Sequence, residues 1–379
     1  MIVEIHIVQS VPTSSMNRDR EGKPKSIVYG GYKRMRLSSQ SQKRAAREYT
    51  RKNNLIDPAE QAFRSRLFAQ KAIELLKKTG LDEATATLLV IKALAAIKLE
   101  LDELGQNQFL IFHGSRELTG FIEAILEHRK AIEKTNLEPD EQTGGKVGNA
   151  KNQNKKAFPV AVVEALKKVF STNRVLELAM YGRQLSGLPE GTVDGQIQVM
   201  HAISVHAILD ENDFFTAVDD YQPSTQTGGG FLGELGIGAP TFYRMAAINV
   251  DQIAKEVGSH KLALDGVKAF IEAFIHSLPG GGRKGFLHAT VPNFVMLQRV
   301  DQGEALNLAP AFERPLITPP SRSMSSTAVE VLEKYLEQIE KAYPRLQGRR
   351  RVCVNLTQHQ VTMATVVENI DQAIAAILE

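Results

Sequence analysis

Apolar and polar positions alternate at the very start of the chain. In "VEIHIVQ" Val3, Ile5 and Ile7 fall on one side and Glu4 and His6 on the other, the two-residue period of a half-buried strand. A polar loop, "PTSSMNRDREGKPKS", leads to a short apolar stretch, "IVYGG". Ser39 and Gln42 then have the S-x-x-Q spacing of a capping box, which predicts a helix beginning near Ser39. On that helix Lys43, Arg47 and Arg51 recur every four residues and share a face, while Ala45, Ala46 and Tyr49 point elsewhere.

From residue 58 to about 170 the period changes. "DPAEQAFRSRLFAQKAIELLKK", "DEATATLLVIKALAAIKLELDEL", "SRELTGFIEAILEHRKAIEK" and "PVAVVEALKKVF" all carry helical apolar spacing with Asp or Ser starts and Gly stops. A Gly-, Asn- and Lys-rich loop, "TGGKVGNAKNQNKKAF", interrupts them and reads either as a linker or as a cationic finger. Strand-like runs return at 174–185, 214–218, 241–250 and 285–300, with helices predicted for "DGQIQVMHAISVHAIL" and "GVKAFIEAFIHSL" between them. A long helix, "STAVEVLEKYLEQIEKAY", and a strand, "RRRVCVNL", follow. Strands separated by helices, split by a helical block, predict an α+β fold with a ferredoxin-like core formed by 1–57 and 171–379 and a helical insertion at 58–170. Between "FFTAV" and "TFYRM" runs "DDYQPSTQTGGGFLGELGIGAP", with six glycines in residues 228–238. Its length without periodicity predicts a functional loop, drawn out as a hairpin arm at 219–240 between the two flanking strands.

Charge sharpens this picture. The 379-residue chain has a net charge of +3, yet residues 17–52 hold twelve cations against three acids. Such a local excess points to a local anionic partner. The stripe follows a hydroxyl-rich helix start whose free N–H groups and dipole also favour phosphate. One cysteine, Cys353, excludes an internal disulfide framework and fits a reducing compartment. The alternating start resembles neither a signal peptide nor a membrane span, so a cytoplasmic, membrane-free protein is expected.

Catalytic chemistry is hard to find. The nine histidines form no H-E-x-x-H, and His201 and His206 are five apart, which suits core or surface histidines better than metal ligands. "PGGGRKG" at 279–285 lacks the spacing of a nucleotide-binding P-loop and reads as a tight turn. Asp219 and Asp220 are adjacent, so on a strand they face opposite ways. Asp19, between Arg18 and Arg20, reads as ionised and structural, and Cys353 as buried. No cofactor or metal is implied. What remains suits nucleic acid: cationic regions for a phosphate backbone, glycines for close approach, and Tyr29, Tyr32, Phe214 and Phe231 for stacking.

The run "HIVQSVPTSSMNRDREGKPKSIVYGGYKRMRLSSQSQKRAARE", with "DFFTAVDDYQ" and "FYRMAAINV", closely resembles the CasC family, the repeated backbone subunit of the type I-E CRISPR Cascade complex. That resemblance implies a palm with a modified RNA-recognition fold, helical fingers and a β-hairpin thumb. It implies a non-catalytic subunit that oligomerises as a helical filament along guide RNA, beside other Cascade subunits, and presents the guide to target DNA. By position it assigns guide contacts to Arg18, Lys25, Arg36, Ser38, Gln40, Lys43, Arg44, Arg47, Arg183 and Phe214. It places Thr225, Gly229, Phe231 and Leu232 in the thumb and gives target-DNA contacts to Lys146, Lys151, Lys155 and Lys156. Gln184 stands where a relative has a base-wedging methionine, with Leu185 beside it as a substitute. The competing expectation is a guide-bound, metal-dependent nuclease of target RNA that uses Asp19.

Overall fold

The structure, a computed structural model, describes residues 1–99, 101–135, 158–172, 174–185, 187–217, 221, 231–282 and 285–379. In chain order the elements are β1 (Ile2–Ser10), β2 (Ser26–Tyr29), β3 (Tyr32–Leu37), α1 (Ser39–Lys52), β4 (Ala62–Ser65), α2 (Phe68–Lys78), α3 (Glu83–Ala96), β5 (Ile111–Gly114), α4 (Ser115–Glu127), α5 (Arg129–Lys134), α6 (Val160–Thr172) and α7 (Leu176–Tyr181). They continue with β6 (Ile197–Val199), β7 (Ala202–Ser204), β8 (Glu211–Ala217), β9 (Phe231–Ile237), β10 (Thr241–Asn249), α8 (Val250–Val257), α9 (His260–His276), β11 (Phe294–Val300), α10 (Met324–Ala342), β12 (Arg350–Asn355), β13 (Thr365–Val366) and α11 (Ile370–Leu378). The expected α+β class holds. Two compact units form: Met1–Leu55 with Ile197–Val250 and Val267–Glu379, and Ile56–Gln196 with Asp251–Gly266.

The first unit is built on a sheet in the order β13-β12-β11-β1-β10-β7-β3-β2, with β6 also paired to β10. β1 lies inside it, antiparallel to β10 on one side (Ile5 opposite Ala246) and to β11 on the other (Ile5 opposite Leu297). The half-buried strand expected from its alternation is therefore corrected: both faces are buried, Glu4 and His6 included. Polar groups in such a place need partners. Glu4 accepts from Leu306 N at 2.6 Å and from the Gln298 amide, and meets His6 Nε2 at 3.1 Å; His6 Nδ1 meets the Tyr243 hydroxyl at 2.8 Å. Burial, and then the Glu4 charge, hold the Tyr243 phenol well above its ordinary value. Over the same sheet, Ala328, Val329, Leu332 and Leu336 of α10 join Val8, Tyr243, Met296 and Cys353 in one apolar cluster. Cys353 is free and buried, as expected, and burial pushes its thiol up to about 11.

Other expectations need correction. Residues 174–185 hold the helix α7, of whose six residues all but Tyr181 are buried. A short apolar run without alternation suits a buried helix as well as a strand, and here packing decides for the helix. The helix expected at 194–209 is instead β6 and β7, whose β-branched Ile197, Val199 and Ile203 line up against β10 and β3. β4 pairs with β5, so the insertion is not wholly helical. The arm is a hairpin, but its second strand is "FLGELGI" itself: β8 pairs with β9 from Glu211–Ile237 to Ala217–Phe231, while β10 belongs to β1. Residues 285–293 precede β11 without joining it, and β13 and α11 were not anticipated.

In the second unit Phe68, Phe121 and Phe170 close the centre of α2, α4 and α6, with ring centroids 5.3–6.2 Å apart. Arg183 belongs to this interior. Its guanidinium donates to Gly191 O (2.8 Å), Phe112 O (3.0 Å), Phe170 O (2.9 Å) and Glu117 Oε2 (2.8 Å), and both charged side chains are essentially inaccessible. Burial outweighs the attraction of Arg183 and raises the Glu117 carboxyl above its usual range. Among the described residues no helix is long and apolar enough to cross a membrane.

Arg183 and Arg244, both buried, each hold several segments of one unit together: the Arg244 guanidinium donates to Gln9 Oε1, Gln42 Oε1, Phe274 O and Ser277 O. Removing either leaves buried acceptors unpaired, so Arg183→Ala is expected to lower unfolding free energy by about 3–5 kcal/mol and Arg244→Ala by about 3 kcal/mol or more. Urea unfolding of each variant beside Arg44→Ala, whose side chain is exposed, measures this. Midpoints equal to that of the Arg44 variant would contradict it.

Candidate nucleic-acid interface

Helix α1 begins at Ser39, as the spacing predicts, but its cap lies one residue earlier than the capping-box reading places it. Ser38 is the N-cap, and its Oγ accepts from Ser41 N at 3.2 Å. Gln42 does not reach back to close a box; its amide donates to Met200 O at 2.9 Å and its Oε1 accepts from Arg244 at 3.2 Å, which fixes the inner face of the helix. The polar loop before β2 also holds this start in place: Asn17 Oδ1 accepts from Ser38 N at 2.8 Å, and Asn17 O from Lys25 N at 2.7 Å. Asp19 closes the loop on itself, accepting from Glu21 N (2.9 Å) and Lys23 N (3.0 Å), with Gly22 at φ +85°. That is the structural role expected for it. Among the described residues no group of His, Cys, Asp and Glu is placed to hold a metal ion.

Gly30 and Gly31 have φ of +60° and +82° in the two-residue turn that joins Tyr29 of β2 to Tyr32 of β3. Such a turn needs positive φ at both positions. A Cβ at Gly30 would also lie 1.9 Å from Glu313 O. The pair therefore serves the hairpin. Of the cations that follow, Arg34 is fully buried and donates to Ser204 O (2.9 Å), Phe312 O (2.9 Å) and Glu313 O (3.1 Å), and Lys33 pairs with Asp210 at 2.6 Å. Arg36 donates through Nη1 to His201 Nδ1 at 2.9 Å and, through its own backbone N–H, to Lys25 O at 2.8 Å.

On α1 the stripe is rotated from the one first read. Gln42, Ala46 and Thr50 face inward, which leaves Gln40 and Arg44 exposed and Arg47 and Arg51 partly so. Lys43 lies at the margin of the buried face, where burial lowers its amine below the usual range. Arg44 pairs with Glu48 at 2.7 Å, and that hydrogen bond raises its guanidinium. The first turn carries no acid. Arg18 is exposed, Lys25 is half-buried, and Ser38 is buried with its hydroxyl engaged in the cap. The α1 start, Lys25 and Arg36 thus come together, and His201 joins them, accepting from Ser39 N at 3.3 Å as well. No local pattern signals His201, because the strand joint that delivers it was read as helix.

Phe214 and Leu232 lie on one face of the β8–β9 hairpin, 65% and 71% exposed, and Phe215 and Phe231 meet on the other with centroids 5.9 Å apart. Thr225, Gly229, Asp219 and Asp220 lie outside the described residues, as do Lys146, Lys151, Lys155 and Lys156 of the loop and Arg283 and Lys284 of "PGGGRKG". Arg183 is corrected: it is spent on the interior of the second unit and offers no donor to a ligand. Leu185 is likewise buried, whereas Gln184 is exposed.

This geometry offers an anion a helix start without acids, flanked by cations. A comparison with curated proteins returns no match. Among solved structures, a chain from "CRISPR RNA-guided surveillance complex, pre-nicking" is 29% identical with a TM-score of 0.81, covering 100% of this chain and 99% of that one. One from "CRISPR RNA-guided surveillance complex" is 26% identical with a TM-score of 0.72 and the same coverage. The model of a family described as CT1975-like protein matches residues 3–377. With the CasC resemblance borne out over the full length, the chain belongs to the CT1975-like protein family.

Proposed function

We propose that this chain is a backbone subunit of a CRISPR RNA-guided surveillance complex, and that it binds guide RNA through the start of α1 and the loop and strand beside it. The observation that carries the reading is the acid-free start of α1, with Arg18, Lys25, Arg36, Gln40, Lys43, Arg44 and Arg47 on or beside it, in a chain similar from end to end to subunits of such complexes. Helix N–H groups and guanidiniums bind phosphate without reading sequence, which suits a subunit that must accept any guide. In this reading the first unit serves as the palm, the second as the fingers and the β8–β9 hairpin as the thumb. Further copies of the chain continue the filament, other Cascade subunits cap it, and target DNA pairs with the displayed guide, with Lys146, Lys151, Lys155 and Lys156 in contact with the DNA. In this reading the role is binding, and Asp19 serves its own turn, its Oδ1 accepting from two backbone N–H groups.

Phosphate contacts release counterions, so the test is a salt titration. Changing Lys25, Lys43 and Arg44 together to alanine is expected to make the slope of log affinity for single-stranded RNA against log salt shallower by about 2, with the fold retained by circular dichroism. Parallel lines for the variant and the parent would place these cations away from RNA. For the hairpin, Phe214→Ser with Leu232→Ser is expected to leave monomer stability within about 1 kcal/mol, because both side chains are exposed, yet to reduce multi-copy assembly on RNA measured by analytical ultracentrifugation. Unchanged assembly would remove the thumb role.

A further inference from the structure

Two donors converge on one atom at the start of α1. Arg36 Nη1 lies 2.9 Å and Ser39 N 3.3 Å from His201 Nδ1. Neither a guanidinium nor a backbone amide can act as acceptor, so Nδ1 must present its lone pair and the imidazole must be neutral with its proton on Nε2. An arginine and a first-turn helix N–H aimed at the same point form an anion site. Here a neutral nitrogen of the protein occupies the point where an anionic oxygen would sit. His201 is exposed and is carried on the two-residue joint between β6 and β7, so its ring can leave this point without disturbing a packed core.

We propose that His201 Nδ1 holds the place of a nucleic-acid phosphate oxygen, and that a bound phosphate displaces the imidazole, which then takes up a proton. This rests on the reading of the α1 start as an RNA site and adds to it a residue and a coupled proton. A phosphate oxygen is the stronger acceptor for a guanidinium, so the exchange favours the ligand. Once released, the ring loses the two donors that require its lone pair and stands beside a negative charge. Nδ1 then binds a proton from solvent and the imidazolium adds a cation to the site. In the free protein the charges that face the ring are Arg36, from β3, and Lys25, from the loop before β2; burial first, and then these two, hold the imidazole below its ordinary value. The free protein therefore binds this proton less readily than the complex does, and binding strengthens as pH falls between the two values.

The test uses the full chain, a short single-stranded RNA, and the variants His201→Gln and His201→Ala. The glutamine oxygen can accept from both donors but cannot take up a proton. Wild-type affinity is expected to rise about three- to tenfold from about pH 8 to about pH 6, while both variants lose this rise and bind at about pH 8 at least as tightly as wild type. In ¹⁵N spectra, His201 Nδ1 should move from the unprotonated to the protonated range when RNA is added near neutral pH. An equal rise in the variants, a uniform loss of affinity at every pH, or an Nδ1 that stays unprotonated in the complex would overturn the displacement while leaving RNA binding standing. Absence of RNA binding by the wild type would overturn both readings.

Discussion

The placement of α1 depends on one buried guanidinium. Arg244, at the centre of β10, donates to Gln9 Oε1 of β1 (2.6 Å), Gln42 Oε1 of α1 (3.2 Å), Phe274 O (2.7 Å) and Ser277 O (3.1 Å), and lies 4.5 Å from the Phe274 ring centroid. One planar group thus ties two central strands, the inner face of α1 and the end of α9. Arginine is the side chain for this, because its fork of donors is rigid and stays charged. With the inner face fixed by Gln42, the outer face of α1 has no freedom to choose which residues meet solvent. Gln40, Arg44, Arg47 and Arg51 follow from that constraint.

The start of the same helix is prepared from the other side. Asn17 receives the Ser38 amide, Asp19 folds the cationic loop into a closed turn, and Lys25 O receives the Arg36 amide. Like charges are held near one another by backbone hydrogen bonds that do not depend on a ligand. The dense charge of residues 17–52 therefore does two kinds of work: Arg34 is spent on buried carbonyls of Ser204, Phe312 and Glu313, whereas Arg18 and Arg44 stay at the surface.

This division explains what was legible in the sequence. The β8 and β10 strands, α9, α10 and the start of α1 were readable because period, cap and apolar run agreed. β1 misled because alternation reports chemistry, not burial: Glu4 and His6 look like solvent-facing residues until Gln298, Leu306 and Tyr243 are brought to them from far along the chain. The runs at 174–185 and 194–209 were exchanged, helix for strand, because both are short and apolar and the deciding partners are tertiary. The end of the chain carries a legible helix: Asn369 caps α11 by accepting from Gln372 N at 2.9 Å, and Ile370, Ala373, Ile374 and Ile377 carry the helical spacing. At the site, sequence marked the cationic region but not which way the α1 stripe faces, and a charged residue does not reveal whether its partner lies within the protein. Arg183 and Arg34 could be told from Arg44 only by the carbonyls around them.

If the proposed function holds, RNA stays with the chain through purification. The direct measurement is to purify the chain after co-expression with its partner subunits and a CRISPR array, and to sequence the nucleic acid that remains bound after a wash in moderate salt. Guide RNAs of uniform length, held by several copies of the chain and lost together with the Lys25, Lys43 and Arg44 side chains, are the predicted result. A complex that retains no RNA, or RNA of random origin and length, would contradict the account.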